Sequence, residues 1–88
     1  MNDTGIEHLL KPLANRRRLA ILNFLRKRKE AHVGQIADVV GLSLPATSRH
    51  LTMLERAAFL EKDQRSLSVY YRICKDASPI LAAVFALY

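Results

Sequence analysis

The segment GLSLPATSRHL, residues 41–51, decides the fold, because it combines a helix end, a turn and a helix start. Gly41 is suited to end a helix, since glycine readily adopts the left-handed backbone conformation found there. Ser43 is suited to cap the next helix, and Pro45 fits its first turn, where amide groups have no partner within the helix. The segment therefore predicts a helix-turn-helix, whose two helices cross after a turn of about three to four residues.

Three amphipathic helices are predicted before this turn. Apolar residues recur at i, i+3, i+4 and i+7 from about Thr4 to Leu13, and again from Val33 to Val40. Between them a broad apolar face extends from about Arg16 to Lys29, and Asn15 is suited to cap that helix. The cations Arg16 to Arg18 meet an unfavourable helix dipole at its start, which favours an external phosphate near them.

The helix after the turn is predicted from Leu44 to about Ala58. A helical wheel directs one side to the core and exposes the other. Arg49 lies on the exposed side and is the best candidate for reading a base, since arginine pairs with guanine through two hydrogen bonds. Small hydroxyl groups near it are suited to phosphates or base edges. The inward residues are Leu44, Thr47, Leu51, Leu54 and Ala58, the outward ones are Pro45, Arg49, Thr52 and Arg56, and the hydroxyl groups are those of Ser43, Ser48 and Thr52.

The pattern changes to that of β-strands after Ala58. Segments from Phe59 to Asp63 and from Ser68 to Ile73 are predicted to pair as a hairpin, with the turn at residues 64–67. Ser78 and Pro79 then suit the cap and first position of a last helix. The predicted fold class is mainly α with a small β-hairpin: four helices, two strands and a fifth helix.

Composition indicates one folded domain. The chain has 88 residues, of which 50% are hydrophobic, and only three are glycine and three proline, a composition too apolar for a disordered tail. The single cysteine, Cys74, excludes an internal disulfide and suits a reducing compartment. No signal peptide and no apolar run of about 20 residues is visible, so we expect a cytoplasmic protein without a membrane partner.

The charge is unevenly distributed. The formal net charge is +6, and eight of the 14 basic residues lie between Lys11 and Lys29, whereas residues 77–88 carry no charge. The basic part indicates an anionic partner such as nucleic acid. The uncharged end indicates a surface that a second subunit covers.

No motif of an enzyme is present. The chain lacks a paired-carboxylate site, a Cys/His couple at readable spacing, a P-loop and a GxGxxG segment. We therefore predict neither catalytic residues nor a cofactor.

Three segments together resemble the ArsR-type winged helix-turn-helix repressors of bacteria and archaea. They are LANRRRLAIL (13–22), GLSLPATSRHL (41–51) and VYYRI (69–73). The resemblance covers nearly the whole chain and implies a single winged helix-turn-helix DNA-binding domain over residues 1–88. It also implies a homodimer that represses genes by binding a palindromic site in double-stranded DNA, with the helix 44–58 in the major groove and the hairpin 59–73 as the wing.

The resemblance also implies which residues carry each role. In the recognition-helix region, Ser43, Pro45, Ser48, Arg49 and His50 occupy the contact positions, and Thr52 and Arg56 continue that face. Arg18 matches the family's arginine near the start of the second helix. Lys62 and Arg65 stand in for the usual Gly and Arg of the wing tip, where this chain has Ser66 and Leu67. The dimer interface is expected on the first and last helices, at Ile6, Leu9, Leu10, Leu13, Ile80, Leu81, Val84, Phe85 and Tyr88.

The chain departs from the metal-sensing members of the family. Their third helix carries a cysteine motif where this chain has residues 31–36 without a cysteine, and the last helix lacks the Asp and His of other members. We therefore predict no metal site, and nothing in the sequence identifies an inducer.

Two alternatives remain for the function. A winged helix can be a protein-interaction module whose basic face meets an acidic partner. A repressor that responds to thiol oxidation through Cys74 is the other, although Cys74 also suits plain apolar packing. His50 suits a contact inside the domain as well as a contact to DNA, and Tyr70 and Tyr71 suit packing.

Overall fold

The computed structural model describes residues 1–88 and confirms a mainly helical fold with a small antiparallel sheet. Its helices are α1 (Asp3–Leu10), α2 (Arg16–Arg28), α3 (Val33–Val40), α4 (Leu44–Arg56) and α5 (Ser78–Phe85). Its strands are β1 (Glu30–His32), β2 (Leu60–Arg65) and β3 (Ser68–Ile73), and short 3-10 helices cover Lys11–Leu13 and Lys75–Ala77.

The turn between α3 and α4 forms as predicted. Gly41 ends α3 with a left-handed backbone, at φ 67°. The Ser43 side chain accepts a hydrogen bond from the Ala46 amide at 3.2 Å, which caps α4, and Pro45 lies in its first turn. Asn15 caps α2 in the same way, accepting from the Arg18 amide. These short-range signals place the helix starts to within a residue.

The sheet has three strands in the order β1-β3-β2, and β1 was not predicted. Glu30, Ala31 and His32 pair with Arg72, Tyr71 and Tyr70 of β3. A strand of three residues is too short to show an alternation, and it forms because β3 offers a free edge to it. The hairpin of β2 and β3 turns through Ser66 and Leu67 alone, with Ser66 at φ 57°.

Three details of the helix predictions were wrong. Leu44 and Ala58 point outward: Leu44 is 56% exposed at the first position of α4, and Ala58 is exposed beyond its end with φ 65°. Ser78 is not the N-cap of α5: the 3-10 turn before it leads directly into α5, so Ser78 has helical backbone angles and is the first residue of that helix. The first helix ends at Leu10, because the chain tightens to a 3-10 turn around Pro12.

The core lies between α2, α3, α4 and the sheet. Ile21, Leu22 and Leu25 of α2 are buried at its centre, with Ile36 of α3 and Leu54 of α4 packed in the same cluster. α5 joins the cluster through Leu81 and Phe85, and the first segment joins it through Leu13. This arrangement is a winged helix-turn-helix, with β2 and β3 as the wing.

Candidate nucleic-acid interface

The exposed side of α4 forms a shallow groove of about 420 Å³ lined by Ser48, Arg49, Thr52, Met53 and Arg56. The opposite side of the same helix holds it in place, because Thr47, Leu51 and Leu54 are fully buried. The helix is therefore a rigid support that presents two guanidinium groups and two hydroxyl groups on one face. Donors of this kind on a core-anchored helix match what base edges and phosphates accept in a major groove.

The first turn of α4 presents the two other predicted contact residues. Ser43 and Pro45 are both exposed. The Ser43 oxygen already accepts the capping hydrogen bond, while its hydroxyl hydrogen is free to be donated. Pro45 offers a compact apolar surface.

The cations of the helices are free of carboxylate partners. Every ion pair of the protein uses Lys62, Arg65 or Arg72, which all lie in β2 and β3. Arg49 and Arg56 make none. The positive charge of the α4 face is therefore not neutralised within the protein and is available to an external anion.

The arginine cluster at the start of α2 is largely satisfied inside the protein. Arg17 donates to the carbonyl oxygen of Val40 at the end of α3, and Arg18 donates through Nε to the Pro12 carbonyl at 2.5 Å. The sequence suggested that an external phosphate would offset the unfavourable helix dipole at these arginines. The two carbonyl oxygens do so instead. Only Arg16 of the three is exposed.

His50 is half-buried and contacts Arg18. Arg18 Nη1 lies 3.4 Å from His50 Nδ1, a distance that suits a hydrogen bond accepted by a neutral imidazole. Burial lowers the pKa of His50, and the charges of Arg18, Arg49 and Arg17 lower it further. Of the two roles considered for His50, the structure supplies the contact inside the domain.

The wing cations have partners inside the protein. Lys62 Nζ lies 3.7 Å from Glu55 Oε1. Arg65 pairs with Glu30 and with Asp63, and its guanidinium carbon lies 4.6 Å from the centre of the Tyr70 ring. The partner Glu30 was not predictable from the sequence, because it lies on the unpredicted strand β1. The outermost residue of the wing is instead Leu67, which is 98% exposed.

The predicted dimer residues divide into two groups. Leu13, Leu81 and Phe85 are buried in the protein's own core, so little of their surface remains for a second subunit. They lie on the inward side of their elements and contact the core cluster. The remaining predicted residues leave apolar surface open, and Leu87, which was missed, adds to it. Exposed members are Ile6, Leu10, Leu87 and Tyr88, and half-buried members are Leu9, Ile80 and Val84.

The histidines and the cysteine are the residues on which metal or thiol chemistry would depend. No group of three or more His, Cys, Asp or Glu residues is arranged to hold a metal ion. His32 caps α3: its ring accepts from the Gln35 amide at 3.3 Å, while the Gln35 side chain accepts from the His32 amide. Burial raises the pKa of the Cys74 thiol, which disfavours the reactive thiolate. None of the helices has the length and apolar character needed to cross a membrane.

Comparison with known proteins identifies the family. Residues 15–62 match the family model for bacterial regulatory proteins of the arsR family. The chain is 37% identical over 65 residues, 74% of its length, to the transcriptional repressor PagR of Bacillus anthracis. It is 38% identical over 80 residues, 90% of its length, to the nodulation protein NolR of Rhizobium meliloti. It spans 65% of the length of each of these two relatives.

A solved structure agrees with the fold. The homodimeric winged helix-turn-helix DNA-binding domain of a possible ArsR-family regulator from Mycobacterium bovis superposes with a TM-score of 0.85 at 30% identity. The superposition covers 99% of this chain and 86% of that one. Family match, relatives and fold therefore agree: the chain belongs to the arsR family of bacterial regulatory proteins, a family of transcriptional regulators and not of enzymes.

Proposed function

We propose that residues 1–88 form one DNA-binding domain that represses transcription in the cytoplasm by binding a palindromic operator as a homodimer. The observation that carries the proposal is the face of α4, where Arg49 and Arg56 are exposed without any carboxylate partner. The relatives support it, because PagR is a transcriptional repressor and the Mycobacterium bovis domain is a homodimer.

Each residue of the α4 face has a proposed role. Arg49, in the N-terminal half of the helix, reads a base through its two-pronged guanidinium. Ser48 and Thr52 on either side of it donate hydrogen bonds to base edges or phosphates. Arg56, Ser43 and Pro45 contact the backbone at the two ends of the helix.

The remaining predicted contact residues play a smaller part in this proposal. Arg18 lies beside the α4 face and is oriented by His50, a residue of α4 that contacts Arg18 and not the DNA. Lys62 and Arg65 lie on the wing beside their acidic partners and add a weak backbone contact.

A second copy of the chain covers the open apolar surface of α1 and the end of α5. Tyr88 is 71% exposed and packs edge to face on Phe85, so its ring extends the core outward at this end. Burying this surface is favourable because it removes apolar area from water. A two-fold dimer would then present two α4 helices to successive major grooves, about 34 Å apart.

The proposal is tested by selecting bound sequences from a pool of random DNA duplexes, together with sedimentation equilibrium of the free protein. We expect a motif with two-fold symmetry and a dimer. Binding without any preferred sequence, or a monomer at the concentrations that bind DNA, would contradict the proposal. An acidic protein partner captured with no duplex binding would instead support an interaction module.

A further inference from the structure

A second pocket adjoins the α4 face on the side of α1. It has a volume of about 260 Å³ and is lined by His8, Lys11, Pro12, Arg18 and Met53. Met53 also lines the groove on α4, so the two concave surfaces meet at this residue. Three nitrogen-bearing side chains therefore converge beside the surface that is proposed to meet DNA.

The cations of this pocket lack any counterion. Lys11 and Arg18 take part in none of the ion pairs of the protein, and His8 and Lys11 are exposed. Arg18 is held in one orientation by the Pro12 carbonyl and by His50. A guanidinium with a fixed orientation loses little conformational freedom when it binds a ligand, which favours binding.

The walls and the local field suit an anion. Pro12 and Met53 offer apolar surface beside the charged groups. Burial is the main cause of the lowered pKa of His50, and the positive charges of Arg18, Arg49 and Arg17 lower it further, so cations surround this side of the pocket. The pocket thus combines an exposed ammonium, an oriented guanidinium and an imidazole around a cavity open to solvent.

We propose that the pocket of His8, Lys11 and Arg18 binds a phosphate of the DNA backbone, next to the bases read by α4. The inference rests on the proposed DNA-binding function and extends it to His8 of α1 and to Lys11 of the 3-10 helix that follows. Lys11 supplies a compact charge and Arg18 an oriented fork, the two usual partners of phosphate. The wing cations bind the DNA backbone only weakly, because they are paired with Glu55, Glu30 and Asp63. The contact in the pocket adds a further attachment to the DNA backbone.

The test compares Lys11→Gln with the matched control Lys27→Gln, an exposed lysine of α2 that also makes no ion pair. Affinities of the full chain are measured across a salt series for the selected operator and for a scrambled duplex. We expect Lys11→Gln to weaken both duplexes by the same factor and to reduce the slope of log affinity against log salt by about 0.9. The control should leave that slope closer to wild type.

Other outcomes overturn the inference. If Lys11→Gln matches the control, or weakens only the operator, the pocket holds no backbone phosphate.

A second measurement separates this failure from a failure of the proposed function. Backbone amide resonances are followed while inorganic phosphate is added at constant ionic strength. If the wild-type chain binds no duplex, the proposed function fails. Saturable shifts confined to the pocket and absent in Lys11→Gln then identify free phosphate as the anion, whereas no shifts overturn the site altogether.

Discussion

Arg65 at the end of β2 forms an ion pair with Glu30 of β1, with 2.5 Å between Nη1 and Oε2. The two residues are 35 positions apart in the sequence and lie on strands that do not pair with each other, because β3 lies between them. The guanidinium also pairs with Asp63 and lies over the Tyr70 ring. The cation that the sequence suggested for DNA contact is thus held against the sheet.

We expect Glu30→Gln to raise DNA affinity on all sequences alike. The change removes one negative charge beside Arg65, so the guanidinium can reach a phosphate, while the loss of an exposed ion pair costs only about 0.2 to 1 kcal/mol of stability. Electrophoretic mobility shift titrations measure the affinity. Asp76→Asn is the control, because it changes the net charge by the same amount at a residue that makes no ion pair. Equal gains in both variants would mean that net charge alone is responsible.

Arg49→Ala should reduce discrimination between the operator and random DNA by about 1 to 3 kcal/mol, because a two-pronged contact to a base is lost. Lys27→Ala removes one positive charge from α2 and should preserve the ratio of the two affinities. Competition binding on both duplexes gives that ratio. A loss for Arg49→Ala that is the same on both duplexes would identify Arg49 as a phosphate contact.

Thr47→Val should stabilise the protein by about 1 kcal/mol. Thr47 is fully buried in α4 and its hydroxyl has no hydrogen-bond partner, so replacing it by a methyl group of similar size removes an uncompensated desolvation penalty. Urea denaturation gives the free energy of unfolding. Thr47→Ser, which keeps the hydroxyl and loses the methyl group, should destabilise the protein, and a destabilised Thr47→Val would show that the hydroxyl has a partner after all.

The free energy of unfolding should fall as the pH is lowered, because His50 resists protonation in the folded protein. Its pKa is lower in the folded protein, so the unfolded chain binds more protons as the pH falls below about 6.5. The contribution of His50 to the free energy of unfolding is therefore fully present above that pH and is lost as the pH drops through the lower folded value. Urea denaturation at about pH 7.5 and about pH 5, on either side of the ordinary histidine pKa of about 6.5, should show a smaller change in the free energy of unfolding for His50→Gln than for wild type. Parallel profiles would contradict the assignment.

Cys74 should react slowly with iodoacetamide at neutral pH compared with glutathione, because burial raises the pKa of its thiol and leaves little thiolate. Cys74→Ser should retain the DNA affinity of the wild type. Mass spectrometry follows the alkylation. Rapid modification, with DNA binding lost on mild oxidation in wild type but not in Cys74→Ser, would favour the thiol-responsive repressor instead.

Local signals in the sequence predicted the helices and the turn between α3 and α4. Gly41, Ser43 and Asn15 act on hydrogen bonds within four residues of themselves, so their effect is readable without knowledge of the rest of the chain. The helical wheel likewise placed Arg49, Thr52 and Arg56 together on one face of α4, with Ser48 beside it. It failed at Leu44 and Ala58, which lie at the helix ends, where no neighbouring element covers them.

The sequence by itself therefore determined the order of the helices, the hairpin and the composition of the face of α4, because helix caps and side-chain periodicity are short-range properties. Only the tertiary structure decided that β1 exists, that Arg65 and Lys62 are paired with acids, that Arg18 contacts His50, and which apolar residues of α1 and α5 remain exposed. The physical reason is that these contacts join residues far apart in the chain. A charge or an apolar side chain acquires its partner only when folding brings the two together.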